Sequence, residues 1–343
     1  MSQEPAAEIP SPCFLTVDPV HHGLRADAFL ALQLPFLSRT RIRQKVQMGE
    51  SLLNGRRYAT SARLAAGDVL TVFWRSAPRV APCRQFEILH QDDHLVAVDK
   101  PAGVASHPVG KLQSDTVIQF IRERFSAEVN ASLMSAGDFF PRLVNRLDVF
   151  TSGVVLAAKT GGALTRMHAM AARGEIDKRY IALVEGVLER DEYAIDLPLG
   201  PDESSRTRLR MAPQAGGLAC LTECVVLRRL RAHTLVAVRP RTGRQHQIRA
   251  HLAAIGHPVW GDLLYKDESL FLSCQETAGP GQVPRSLPFP RHCLHAEESA
   301  FNHPVTGRRV VVRSPLPRDF LVILNRVEGF IPPLTPPGVF RLP

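Results

Sequence analysis

Apolar and polar positions fall into short runs, and most of those runs are β-like. Phe86-Glu-Ile-Leu and Leu95-Val-Ala-Val predict two strands around the turn Gln91-Asp92-Asp93-His94. Val154-Val-Leu-Ala-Ala is apolar throughout, the pattern of a buried strand. Arg179-Tyr-Ile-Ala-Leu-Val, Leu221-Thr-Glu-Cys-Val-Val-Leu and His233-Thr-Leu-Val-Ala-Val-Arg predict further strands. Helical spacing is rarer. It runs from Ala163 to Ala172, with Gly174 as the stop, and from Gln245 to Ile255, closed by Gly256. The stretch 273–290 is rich in Pro and Gly and predicts an irregular surface insertion.

The N-terminal part has a different grain. Asp27-Ala-Phe-Leu-Ala-Leu predicts a short helix, and a second runs from Arg39 to Met48 with Ser38 as N-cap and Gly49 as its stop. Leu52-Leu53 followed by Asn54-Gly55 is a strand entering a hairpin turn. Gly67-Asp68 is another turn before the β-rich run from Val69 to Trp74. Two helices and a small sheet make a compact module, and Pro78 and Pro82 suit a linker behind it. Residues 1–17 hold three prolines and little apolar pattern, which predicts a disordered tail. The expected division is a tail at 1–17, a module at 18–78, a larger domain at 83–327 and a proline-rich tail at 328–343. No tandem repeat or sustained heptad interrupts it.

Charge sharpens this picture. The 343 residues carry 42 Lys and Arg against 33 Asp and Glu, a net +9. Ten of those cations but only three acids lie between residues 20 and 80, so that segment alone carries +7. Such an excess points to a polyanionic partner, without separating nucleic acid from a membrane surface. No apolar run approaches the roughly 18 residues of a membrane helix. The N-terminus carries Glu4 and Glu8 and lacks both a basic and an apolar leader region, so no secretory signal is expected. Six scattered cysteines in a chain of this size predict reduced thiols and a cytoplasmic protein.

Three clusters are candidates for chemistry. The helix from Arg39 stacks Arg39 over Arg43 and Arg41 over Lys45. Like charges at that spacing repel unless an external anion neutralises them, which favours a phosphate backbone over a solvated face. The second cluster is Asn145-Arg-Leu-Asp148-Val-Phe-Thr-Ser-Gly153, which sets a charged pair at the mouth of a buried strand. A structural Arg–Asp pair explains that stretch equally well. The third is Arg241-Thr-Gly-Arg244-Gln-His246-Gln-Ile-Arg249-Ala-His251, where cations enter a short helix from a glycine turn. The two histidines are five apart, not the four of a metal-binding helix face. His292, Cys293 and His295 approach metal spacing but lack a matching pair. No metal site is therefore expected. Ala158 before Lys159 breaks any likeness to a phosphate-binding loop, and no nucleophilic-serine elbow is present.

Taken in order, these blocks resemble the RluA-type RNA pseudouridine synthases. Asp92 to Gly103, with Lys100-Pro101, resembles the family's first motif, and Asn145 to Gly153 its catalytic motif. Lys178-Arg-Tyr180 resembles its tyrosine strand, residues 242–262 its Thr-Gly-Arg-x-His-Gln-Ile-Arg block, and Leu294-His-Ala with His303-Pro304 its closing block. Arg25 to Leu30, Ser38 to Gln44, Leu52 to Gly55 and Gly67-Asp68 resemble the ribosomal-protein S-four-type RNA-binding module. Asn145, Phe150 and Gln245 depart from the family's usual residues.

The resemblance implies an α+β chain, a mixed or antiparallel sheet preceded by a small α/β RNA-binding module. It implies isomerisation of uridine in structured RNA, with ribosomal RNA the expected substrate, and no cofactor because bonds broken and made balance. Asp148 would act as the carboxylate and Arg249 as its cationic partner, while Tyr180 would stack on the uracil. Arg146 and Arg244 would bind substrate, and Arg39, Arg41, Arg43 and Lys45 would hold RNA phosphates. No membrane and no obligate protein partner are expected. The alternative is a non-catalytic RNA-binding or ribosome-assembly factor on the same fold.

Overall fold

The computed structural model describes residues 13–34, 39–73, 85–108, 115–122, 124–125, 141–278 and 291–328. The chain divides into two compact units, a smaller one in the first 83 residues and a larger one from residue 84 onward.

The smaller unit is built from β1 (Cys13–Thr16), α1 (Ala26–Gln33), α2 (Arg39–Gln47), β2 (Ser51–Leu53) and β3 (Val69–Val72). Its three strands form an antiparallel sheet in the order β1-β3-β2. Phe29 and Leu30 of α1 and Ile42 and Val46 of α2 bury against Leu64, Leu70 and Val72. Asn54 and Gly55 take the positive φ values, 49° and 77°, that a two-residue hairpin turn demands. The tail expected over 1–17 is corrected here, because residues 13–16 pair along β3 as an edge strand. Ser38, Pro78 and Pro82 lie outside the described residues.

The larger unit is one mixed ten-stranded sheet. Its elements in chain order are β4 (Glu87–Gln91), β5 (Leu95–Lys100), β6 (Arg142–Leu143), β7 (Ser152–Ala158), α3 (Gly161–Ala172), β8 (Asp177–Glu185) and β9 (Glu192–Asp196). A separate hairpin follows, β10 (Leu199–Pro201) and β11 (Met211–Pro213). Then come β12 (Leu221–Arg229), β13 (His233–Pro240), α4 (Gln247–Ala254), α5 (Leu263–Lys266) and α6 (Glu268–Ala278). The chain closes with β14 (Leu294–Asn302), β15 (Arg309–Arg313) and α7 (Arg318–Glu328). The sheet runs β4-β5-β7-β14-β8-β13-β12-β9, with β6 on β7 and β15 on β14. Every pairing is antiparallel except β14 with β7. This is the expected α+β architecture.

Strand parity on β8 sets what covers each face. Ala182 and Val184 pack with Ile248 and Leu252 of α4. Ile181 and Leu183 point the other way, to Phe320, Ile323 and Leu324 of α7. Two expectations need correction. The helix expected from Gln245 begins at Gln247, because His246 takes a left-handed φ of 53° and ends the preceding turn. Residues 273–278, expected to be irregular, continue α6, and 279–290 lie outside the described residues.

Candidate active site

The loop 145–151 leads into β7 and is fastened from several sides. Asn145 substitutes its amide for a strand neighbour: Nδ2 donates to Val154 O at 3.2 Å and Oδ1 accepts from Leu156 N at 2.7 Å. Asn145, one of the departures from the family's usual residues, thus serves as a strand clamp. Ser106 Oγ donates to Leu147 O at 2.9 Å and accepts from Leu147 N at 3.1 Å. Lys100 is wholly buried and spends its three donors on the carbonyls of Pro101, Val104 and Val149, at 2.8–3.0 Å. Gly153 must be glycine. Its φ is +113°, and a Cβ there would lie 2.1 Å from the Ala296 carbonyl oxygen across the parallel β7–β14 pair. Asp148 is therefore presented from a loop with little freedom, its side chain 29% exposed.

The second half of the site comes from the turn before α4. Gln247 is buried and uses its whole amide. Oε1 accepts from Thr242 Oγ1 at 2.7 Å and Arg244 N at 3.1 Å, and Nε2 donates to Leu221 O and Thr222 Oγ1. That amide holds the turn, and His246 and Arg249, three residues apart, share a face of the chain. Arg249 donates through Nε and Nη2 to Asp262, at 2.5 and 2.8 Å, and through Nη1 to Asp148 Oδ2 at 2.8 Å. Its guanidinium also lies 5.1 Å from the centre of the Tyr265 ring. His246 Nε2 sits 3.8 Å from Asp148 Oδ2, and its Nδ1 is 3.3 Å from the Tyr265 hydroxyl.

One cation between two acids leaves this cluster with a surplus negative charge. Burial alone would raise the Asp148 pKa, but Arg249 leads a set of neighbours that holds it well below the usual carboxylate range. His246 and His292 act in the same direction only when protonated. Burial lowers them to about 4 and about 3, so Arg249 does this work at neutral pH. Burial opposes the Arg249 charge as well, yet Asp262 and then Asp148 raise its pKa. Asp262 receives both arms of the guanidinium fork, the stronger arrangement, and Asp148 receives one. Among the described residues nothing else donates to the Asp148 carboxylate. Tyr180 lies on the α4-covered face of β8, where burial and then the Asp148 charge raise its pKa and keep the phenol protonated.

Asp148, Tyr180 and Arg249 are thus brought together. Arg146 is exposed, and no described residue pairs with it. Arg244 is exposed too, its Nε 3.5 Å from Ala219 O, and is not drawn to Asp148. Arg43 is 55% exposed but shares Asp27 at 3.5 Å. Lys45 needs correction. Its side chain is only 15% exposed and binds Glu50 at 3.0 Å and Phe73 O at 3.1 Å, which makes it a tie within the small unit. The side chains of Arg39 and Arg41 lie outside the described residues. His292 binds Thr151 Oγ1 at 2.8 Å and His295 binds Ser152 Oγ at 2.9 Å, so their spacing serves the sheet.

A family model for RNA pseudouridylate synthases matches residues 94–254, which span Asp148, Tyr180 and Arg249. The ribosomal large subunit pseudouridine synthase D of Xanthomonas campestris is 34% identical over 89% of this chain and 89% of its own length. The chain belongs to the RNA pseudouridine synthase family. The Pseudomonas aeruginosa protein of the same name is 32% identical over 88% of this chain and 92% of that one. The human RNA pseudouridylate synthase domain containing 1 shares the fold. Its TM-score is 0.52 at 24% identity, over 73% of this chain and 89% of that one. This synthase also depends on residues to which the sequence assigned no part in the site. Asp262, His246, Tyr265, His292 and Lys100 all act on the position or charge of Asp148 or Arg249. Lys100, His246 and Asp262 stand in family-like blocks and His292 was weighed only as a metal ligand, while Tyr265 carried no signal of its own.

Proposed function

We propose that this protein isomerises uridines of large-subunit ribosomal RNA to pseudouridine, with Asp148 as the reacting carboxylate. The observation that carries the reading is the single Arg249 hydrogen bond to a partly open Asp148. It keeps the acid ionised in a buried setting and leaves the second oxygen for substrate. The reaction breaks the bond from N1 of uracil to C1′ of ribose, turns the base, and joins C5 to C1′. The hydrogen lost at C5 is balanced by one gained at N1, so no oxidant or reductant enters. Asp148 acts on the ribose as the first bond breaks. A uridine inside a stack cannot meet it, so the base is turned out of the RNA. The protonated Tyr180 receives its face, and exposed Arg146 occupies the space beside it.

The small unit, with its helix pair and hairpin, serves as a ribosomal-protein S-four-type RNA-binding domain in this reading, and Arg39, Arg41, Arg43 and Arg244 face phosphates. We place the protein in the cytoplasm, where its substrate is. No described helix is long and apolar enough to cross a membrane. Asp148→Asn preserves size and removes charge. It should abolish pseudouridine formation on transcribed large-subunit RNA, while RNA affinity in a filter-binding assay stays within about twofold, because many cations elsewhere carry it. Multiple turnover by this variant would remove Asp148 from the chemistry.

A further inference from the structure

Strand β8 carries one cation that no described residue neutralises. Lys178 stands two residues before Tyr180, on the face that Ala182 and Val184 share with α4. Arg179 points to the opposite face and pairs with Glu297 at 2.7 Å. Lys178 is half-buried, and among the described residues it has no hydrogen bond and no ion pair. Its Nζ lies against the Thr242-Gly243 turn, 3.6 Å from where a Gly243 Cβ would stand. Arg239 and Arg241 line the same small recess. The nearby acids are already committed. Asp177 binds Arg309 at 2.8 Å, and Glu223 binds Arg241 at 2.7 Å. Burial lowers the Lys178 pKa, the cost of a charge without a counter-ion.

A half-buried ammonium is maintained at a cost unless an anion comes to it. No described residue supplies one, and the face belongs to the side chain that meets the target base. Two strand residues are about 6.6 Å apart, so an anion on Lys178 sits one position along a strand bound at Tyr180. We propose that Lys178 binds a backbone phosphate adjoining the target uridine and so positions the RNA strand in the site. This inference rests on the RNA reading above and adds a residue to it. Lys178 is a positioning residue, because it contacts no reacting atom.

The test pairs the full-length protein with an oligoribonucleotide substrate in which single linkages next to the uridine are made neutral methylphosphonates. Lys178→Met should weaken binding of the all-phosphate RNA about tenfold, the usual worth of one charge-assisted contact. It should lower the slope of log affinity against log salt by about 0.7. The single-turnover rate at saturating RNA should hold, and Lys178→Arg should restore affinity. One neutral linkage should cost the wild type a similar factor and cost Lys178→Met nothing further. Equal penalties in both proteins overturn the assignment, and so, even if Lys178→Met fails to fold, does a wild type indifferent to every adjoining linkage. Absence of pseudouridine from wild-type reactions would instead overturn the enzyme reading, and is scored separately from affinity.

Discussion

The Asp148 site and the α2 helix of the small unit both concentrate charge, but they do so in opposite ways. At the site, opposite charges converge from residues far apart in sequence. Asp148 and Arg249 are 101 positions apart, and Asp262 adds a third charge that closes the pair. On α2 four like charges follow from local spacing, and the fold then neutralises some of them: Lys45 with Glu50, Arg43 with Asp27. A count of charges in a segment therefore overstates the cations left for a ligand. A single acid in a motif understates the network that tunes it.

The largest effect should come from breaking the network at the acid that takes both arms of Arg249. Asp262→Ala leaves the buried Arg249 fork unpaired, which costs about 3–5 kcal/mol. Asp148→Asn keeps the Asp262 fork and should cost far less. Urea unfolding followed through Trp260, two residues from Asp262, will distinguish the two; equal losses would mean that Asp148 and Asp262 share Arg249 evenly. Both carboxyls have depressed pKa values in the fold. Their stabilisation is therefore present above the unfolded value near pH 4 and is lost as pH falls below it towards the folded values. The acid limb of the wild-type stability curve should be steeper than that of Asp262→Asn.

The same contrast explains how much was legible beforehand. Short apolar runs bounded by turn residues located β5, β7 and β8, and alternation helped to locate β12 and β13, because both signals are local. The edge strand at Cys13–Thr16 escaped because four residues give too short a period and its partner lies more than fifty residues on. Asp148 and Arg249 stand in charged clusters that the sequence offers by itself, but their union with Tyr180 was visible only through resemblance, since nothing in the spacing reports that β7, β8 and α4 converge. Lys45 misled because the acid that takes it, Glu50, follows a glycine that turns the chain back.

A smaller effect is expected at Tyr180, where the network meets the substrate. Tyr180→Ala removes a base-stacking surface worth about 1–3 kcal/mol and should weaken RNA binding accordingly. Tyr180→Phe keeps the ring and should retain that affinity while losing turnover, because the hydroxyl that burial and Asp148 keep protonated is gone. A Phe variant with full activity would confine Tyr180 to stacking. Comparing the two variants on one RNA separates the ring from the phenol without disturbing Arg249.

The smallest effect, and the one that tests the α2 side of the comparison, lies in salt dependence. If Arg39, Arg41 and Arg43 meet phosphates, each contact releases counterions, and each loss should flatten the salt slope by about 0.7–0.9. Changing all three to Ala should therefore lower the slope by about 2–3 without altering the single-turnover rate on a saturating short substrate. Lys45→Ala should behave differently, although it removes the same unit charge from the same helix. Its ammonium is spent on Glu50 and the Phe73 carbonyl, so the slope should stay at the wild-type value. The small unit itself should lose about 1–2 kcal/mol from a partly buried charged hydrogen bond. A Lys45→Ala slope as flat as that expected per arginine would show that Lys45 leaves Glu50 when RNA binds. The ion pair would then be a store for a phosphate-binding cation and not a tie in the fold.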